Sequence, residues 1–138
     1  MANYDLYKSI DTANIKTKAS EIKNQIPSNK SALSSHKETL TDDIWKSGAK
    51  ATLTTAYDKI ESEVYKELED VLTNIETVCG YIDDYKTAEN NAISYKNQKN
   101  EQLKINPKAD VSSFDTLIVQ EESKMDQAES GVKGVCGT

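Results

Sequence analysis

The chain has 138 residues, of which 36% are apolar, with a net charge of −6 and a mean hydropathy of −0.69. Its length suits one domain, and its basic residues are all lysine, so an acidic field without guanidinium groups argues against a strong nucleic-acid surface and against an anionic membrane surface. No apolar run has the length of a membrane span or a signal-peptide core, and the polar start Met-Ala-Asn-Tyr-Asp-Leu-Tyr-Lys leads us to expect synthesis in the cytoplasm without a cleaved signal. Only two prolines and five glycines interrupt the chain, which is too regular for disorder. Few apolar residues in a regular chain predict an elongated all-α protein whose long amphipathic helices complete their core against a partner.

Residues from about 4 to 40 read as helix one. Ala19, Ile26, Leu33 and Leu40 share one heptad position, Ile15 and Ile22 the other, and Asn29 and His36 continue the second. Pro27 lies inside this pattern. The heptad keeps its phase across it, which predicts a kink rather than two helices.

A bend over residues 41–48 follows, carrying the only tryptophan, Trp45, and Gly48. Glycine permits the positive φ of a tight reversal, and the indole plugs the apolar end of the helix pair. Helix two, from about 49 to 104, has a stripe through Ala49, Leu53, Ala56, Ile60, Val64, Leu68, Val71, Ile75, Val78, Ile82 and Tyr85. The consecutive steps of four through Ile60, Val64 and Leu68 form a stutter, which straightens a supercoil. Helix two would span about 80 Å and helix one about 54 Å, so the second overhangs the first.

Asn106-Pro107 marks a turn over 105–110, with Asp110 or Ser112 capping a third helix from about 111 to 131. Its stripe is Phe114, Ile118, Met125, Ala128 and Val132, with Leu117 beside it, and folding back it would cover the overhang. The glycine-rich tail, 132–138, reads as frayed. The whole is an antiparallel helical hairpin with a long second helix and a third helix folded back on its overhang. Folding back would bring Cys136 within a turn of Cys79. The two either pair in an oxidising exterior or are thiols that never meet.

Signs of chemistry are weak. The hairpin places His36 opposite about residue 56, far from Cys79, so no Cys/His pair forms. No phosphate loop, HExxH or CxxC occurs, and the carboxylates sit among lysines on solvated faces. We expect no enzyme, no cofactor and no metal. Tyr7/Asp11, Tyr57/Glu61, Tyr65/Glu69 and Tyr85/Glu89 each set an aromatic and a carboxylate on one helical face. Most such pairs arise by chance, and only position can select among them; the hairpin places Leu6 and Tyr7 opposite residues 85 and 86.

A polar first helix, the bend with Trp45 and Gly48, and a long amphipathic second helix carrying Tyr85 and Glu89 resemble the WXG-motif proteins exported by type VII (ESX) secretion. The resemblance covers roughly residues 1 to 95. It implies a bipartite export signal, with Trp45 and Gly48 as the bend and Tyr85 and Glu89 as the Tyr-x-x-x-Asp/Glu half. The spacing Trp45-Lys46-Ser47-Gly48 is one residue longer than the motif's Trp-x-Gly. The extra length from residue 105 onward resembles the helical partner proteins of LXG-type toxins of Gram-positive bacteria.

That resemblance implies a non-enzymatic, co-exported partner or targeting factor for a larger toxin. It would pair with a helical protein, as a homodimer or as a heterodimer with a toxin's N-terminal region, and engage the secretion ATPase. No nucleic acid and no stable membrane anchoring is expected. The interface candidates are Ile22, Ile26, Leu33, Leu53, Ile60, Val71, Ile75, Val78 and Ile82. A structural coiled-coil dimer and a cytoplasmic immunity protein are the alternatives.

Overall fold

The computed structural model describes residues 4–39 and 47–137, and every regular element among them is helical. In chain order these are α1 (Tyr4–Ser9), α2 (Thr12–Glu38), α3 (Ser47–Lys59), a π-helical segment (Ile60–Val64), α4 (Tyr65–Ile105) and α5 (Ser112–Cys136). The protein is all-α. It divides into two compact units, one of Ala13–Glu76 and one that joins Met1–Thr12 to Thr77–Thr138.

The first of these is a helical hairpin. Within it α2 runs through Pro27 without interruption, because Pro27 lies on the exposed side, where water can serve the carbonyl that loses its partner. Ala19 and Ile26 of α2 pack with Leu72 of α4, and Tyr65 lies against them. Between these apolar layers Lys23 pairs with Glu76 at 2.6 Å and Lys30 with Glu69 at 3.3 Å. Residue numbers fall on one helix as they rise on the other, so the pair is antiparallel. The pairing that the sequence suggested would set Lys23 opposite residue 69. Its partner is instead Glu76, one heptad further along.

Nearer the bend, Lys37 pairs with Asp58. Between Asp58 and Glu69 lies the π segment, at the run of fours through Ile60, Val64 and Leu68. The long helix does not simply straighten there. It takes a wider turn with i→i+5 bonding, which absorbs an extra residue. Gly48 also departs from expectation. It lies within α3 and has no positive φ, so it is an ordinary helical residue. Trp45, and the bend over 41–46, lie outside the described residues.

The second unit is a three-helix arrangement. Helix one is not continuous, since α1 ends at Ser9 and α2 begins at Thr12. Ser9, Asp11 and Thr12 are short polar residues whose side chains compete with helical bonding. The break is held from α4, whose Lys86 Nζ donates to the Ile10 carbonyl at 2.6 Å and whose Asp83 accepts from the Thr12 hydroxyl. After α4, the Ala109 N–H bonds the Asn106 carbonyl and the Asp110 carboxylate accepts from the Ser112 N–H at 3.0 Å, closing the turn and opening α5. That bond holds the Asp110 carboxyl below the usual carboxylate range.

Helix α5 returns antiparallel to α4, as Lys99–Asp115 and Lys96–Glu122 show. It is longer than expected. Residues 132–136 are helical rather than frayed, and Gly137 ends the helix at φ 75°, with its N–H bonded to the Lys133 carbonyl at 3.0 Å. Glycine takes that left-handed position without steric cost. Ile82, Tyr85 and Ala88 of α4 form the core with Met125 and Ala128 of α5 and Tyr7 of α1. One glycine here serves a close approach, because a Cβ on Gly131 would stand 2.6 Å from the Tyr81 ring.

Two paired substitutions test this packing. Leu72→Ala should cost about 2–4 kcal/mol in urea unfolding, whereas Val71→Ala, at a position 52% exposed, should cost under about 1 kcal/mol. Gly134→Ala meets nothing within 4 Å and should raise stability by about 0.5–1 kcal/mol. Gly131→Ala should forfeit that gain, since the Tyr81 ring must move aside.

Candidate functional site

Two features carry the candidate site, one in each unit. In the hairpin unit the seam uses only one of the two apolar heptad positions of α2. Ala19 and Ile26 are buried, while Ile15 and Ile22 face water. On the long helix the seam takes Tyr65 and Leu72 and leaves out the stripe beside them. Ile60, Val64, Leu68, Val71 and Ile75 are 37% to 56% exposed.

In an antiparallel helix pair, equivalent flanks of the two helices lie on the same side. Ile22 directly precedes Lys23, just as Leu68 and Ile75 precede Glu69 and Glu76, so these residues share one side of the hairpin. Seven such aliphatic side chains amount to on the order of 500 Å² of apolar surface, at the upper end of what a monomer leaves to water. Covering it yields about 12 kcal/mol gross, comparable with the association cost of about 4–15 kcal/mol. Apolar burial alone therefore brings binding roughly to balance, and polar contacts must decide affinity and choice of partner.

The expected interface residues divide accordingly. Ile22, Ile60, Val71 and Ile75 are exposed, Leu33, Leu53 and Val78 are half-buried, and Ile26 and Ile82 are interior. The last two are corrections: Ile26 is spent on Leu72 within the hairpin, and Ile82 on the core around Tyr7. Ile15, Val64 and Leu68 join the exposed row. The signal for them was the repeat of lysines at 23 and 30 against glutamates at 69 and 76, which marks the seam and so leaves the neighbouring positions outside.

The second feature is the Tyr85/Glu89 pair. Tyr85 meets Tyr7 as expected, edge to face with ring centroids 5.0 Å apart. It is not an outward-facing residue, being 2% exposed in the core of its unit. Glu89 sits at the rim, its side chain 12% exposed, and pairs with Lys8 at 2.9 Å. An i, i+4 pair shares one face, but here that face is under α1. Burial pushes the Tyr7 phenol above its ordinary value, with Glu129 adding to the shift and Lys133 opposing it.

Glu121 was missed by sequence reasoning. It falls on the stripe of α5 between Ile118 and Met125 and is buried there, accepting from Asn91 of α4 and from Lys124. The Lys124 bond leads in holding its carboxyl below the usual range. Glu129 is held low in the same way, first by its bond to Lys133.

Cys79 is buried, Cys136 is exposed, and no disulfide joins them. His36 is exposed. Among the described residues no group of three or more His, Cys, Asp or Glu is placed to hold a metal ion, and no helix is long and apolar enough to cross a membrane. Compared with protein-family models, curated proteins and solved structures, the chain finds no match.

The raised Tyr7 phenol has a consequence for stability. A folded-state value above the ordinary one near 10 contributes stability that is whole below about pH 10 and is lost as pH rises through the folded value. Wild-type stability should therefore fall more steeply than that of Tyr7→Phe between pH 10 and 12, followed by urea unfolding. Parallel curves would contradict the burial of this phenol.

Proposed function

We propose that this protein is a non-enzymatic partner or targeting factor in type VII secretion, co-exported with a larger LXG-type toxin whose helical N-terminal region it binds. The observation that carries the reading is the exposed aliphatic row of the hairpin unit, Ile15 and Ile22 on α2 with Leu68, Val71 and Ile75 on α4. A helix laid along such a row buries its own i, i+3, i+4 stripe, and a second hairpin would close a four-helix layer. Trp45 and Gly48 remain the first half of the export signal in this reading, and Tyr85 with Glu89 the second.

The test uses a type VII-competent host in which the chain and a neighbouring LXG toxin are expressed together. Val71→Asp with Ile75→Asp should leave helicity within a few per cent by circular dichroism, since the two side chains are 52% and 37% exposed and lie outside the buried seam. Toxin co-purification should fall at least about tenfold, because two carboxylates would be desolvated on binding. Trp45→Ala should reduce export while leaving the pair intact. Unchanged co-purification and unchanged export in these variants would overturn the reading. Self-association lost together with the double substitution, and no toxin bound by wild type, would point to a structural dimer instead.

A further inference from the structure

Helix α1 has six residues, well below the roughly 12–15 at which an isolated helix becomes even marginal in water. Its conformation therefore depends on what it lies against. Among its described side chains, two consecutive ones reach the rest of the unit. The Tyr7 ring enters the core beside Tyr85, Ile82 and Met125, and Lys8 reaches the Glu89 carboxylate at 2.9 Å. Leu6 is exposed and adds little. Among the described side chains, one buried ring and one half-exposed ion pair stand against the cost of ordering a six-residue helix, and short terminal segments of this kind open at the low end of local opening energies.

The hinge is built in. Ile10 and Asp11 are non-helical, and the chain is anchored just beyond Ser9. Lys86 holds the Ile10 carbonyl, and the Thr12 hydroxyl donates to Asp83. The segment before Ile10 can lift while these anchors stay in place. What it leaves behind is an apolar groove on α4 and α5 with a carboxylate at its rim.

We propose that α1 is a releasable cap over a binding groove formed by Ile82, Tyr85, Glu89 and Met125, and that the uncapped groove accepts a helical segment of a partner that carries an aromatic residue followed by a lysine. The occupant's chemistry is read from the segment that fills the groove in this chain. The aromatic ring satisfies the apolar floor, and the cation satisfies Glu89, which would otherwise lose its partner beside a desolvated surface. As a route to recognition during export, the cap rests on the secretion reading above. As a physical device it does not.

The test uses the full chain in two variants, Tyr7→Ala, which empties the groove, and Lys8→Glu, which repels Glu89 from an exposed position and leaves the core intact. Nitration of Tyr85 by tetranitromethane, mapped by mass spectrometry, reads its exposure. Both variants should label Tyr85 several-fold faster than wild type, with far-ultraviolet circular dichroism preserved. A fluorescently tagged peptide of residues 4–11 should bind Tyr7→Ala at least about tenfold more tightly than wild type, where the tethered segment competes. Glu89→Lys in the same background should abolish that binding. Tyr85 labelling unchanged in both variants, or equal peptide binding to wild type and Tyr7→Ala, would overturn the cap. No secretion component enters these readouts. The secretion reading fails separately, if Tyr85→Ala leaves export unchanged.

Discussion

The repeated contact of lysine with glutamate across the α2–α4 seam determines which side of each helix is inside. Taken singly, Lys23–Glu76 and Lys30–Glu69 are partly exposed pairs of small net worth. Their value lies in the repeat. Seven residues apart on both helices, they alternate with the apolar layers of Ala19, Ile26 and Leu72 and so resist any slip of less than a heptad. Shifting the pairing by four residues would set Lys23 against Leu72 and Glu76 against Ala19, desolvating charge without a partner. The narrow apolar seam alone would not discriminate so sharply.

That choice has a cost, and the cost is the surface. A hairpin sealed through Ala19, Ile26, Tyr65 and Leu72 turns Ile15, Ile22, Leu68, Val71 and Ile75 outward. A sequence with so little apolar content leaves these aliphatic residues 37% to 52% exposed. In the three-helix unit the balance differs, because Val78, Ile82 and Tyr85 are used internally against α1 and α5. The same stripe on α4 is thus consumed in one unit and left open in the other.

The helical class, the third helix and its turn at Asn106-Pro107 were all legible, because each rests on apolar spacing and on residues with strong backbone preferences. So was the meeting of Tyr7 with Tyr85, which needed only the antiparallel sense of the helices. The break at Ile10-Asp11 was not. The heptad passes through it in phase, and the competing signal, a cluster of Ser9, Asp11 and Thr12, is local and weak. The π turn at Ile60–Val64 was visible as a run of fours but not as a wider helix, since spacing reports an extra residue without saying how the backbone takes it up. The inside and outside of the hairpin were misread in part because apolar residues alone were used to trace the seam. The lysines and glutamates drew it more faithfully. Glu121 escaped for the same reason, as a carboxylate at an interior position looks like a solvated charge until Asn91 and Lys124 are placed beside it.

The charged ladder thus selects the seam and thereby exposes the aliphatic row. Methyl-labelled nuclear magnetic resonance with a soluble paramagnetic agent tests it most directly. Nuclear Overhauser contacts are expected between Leu72 and the methyls of Ala19 and Ile26, with strong paramagnetic relaxation of the Ile22, Val71 and Ile75 methyls. Contacts of Ile22 with Ile75 together with a solvent-accessible Leu72 would contradict it, because the hairpin would then be sealed through the face assigned to a partner.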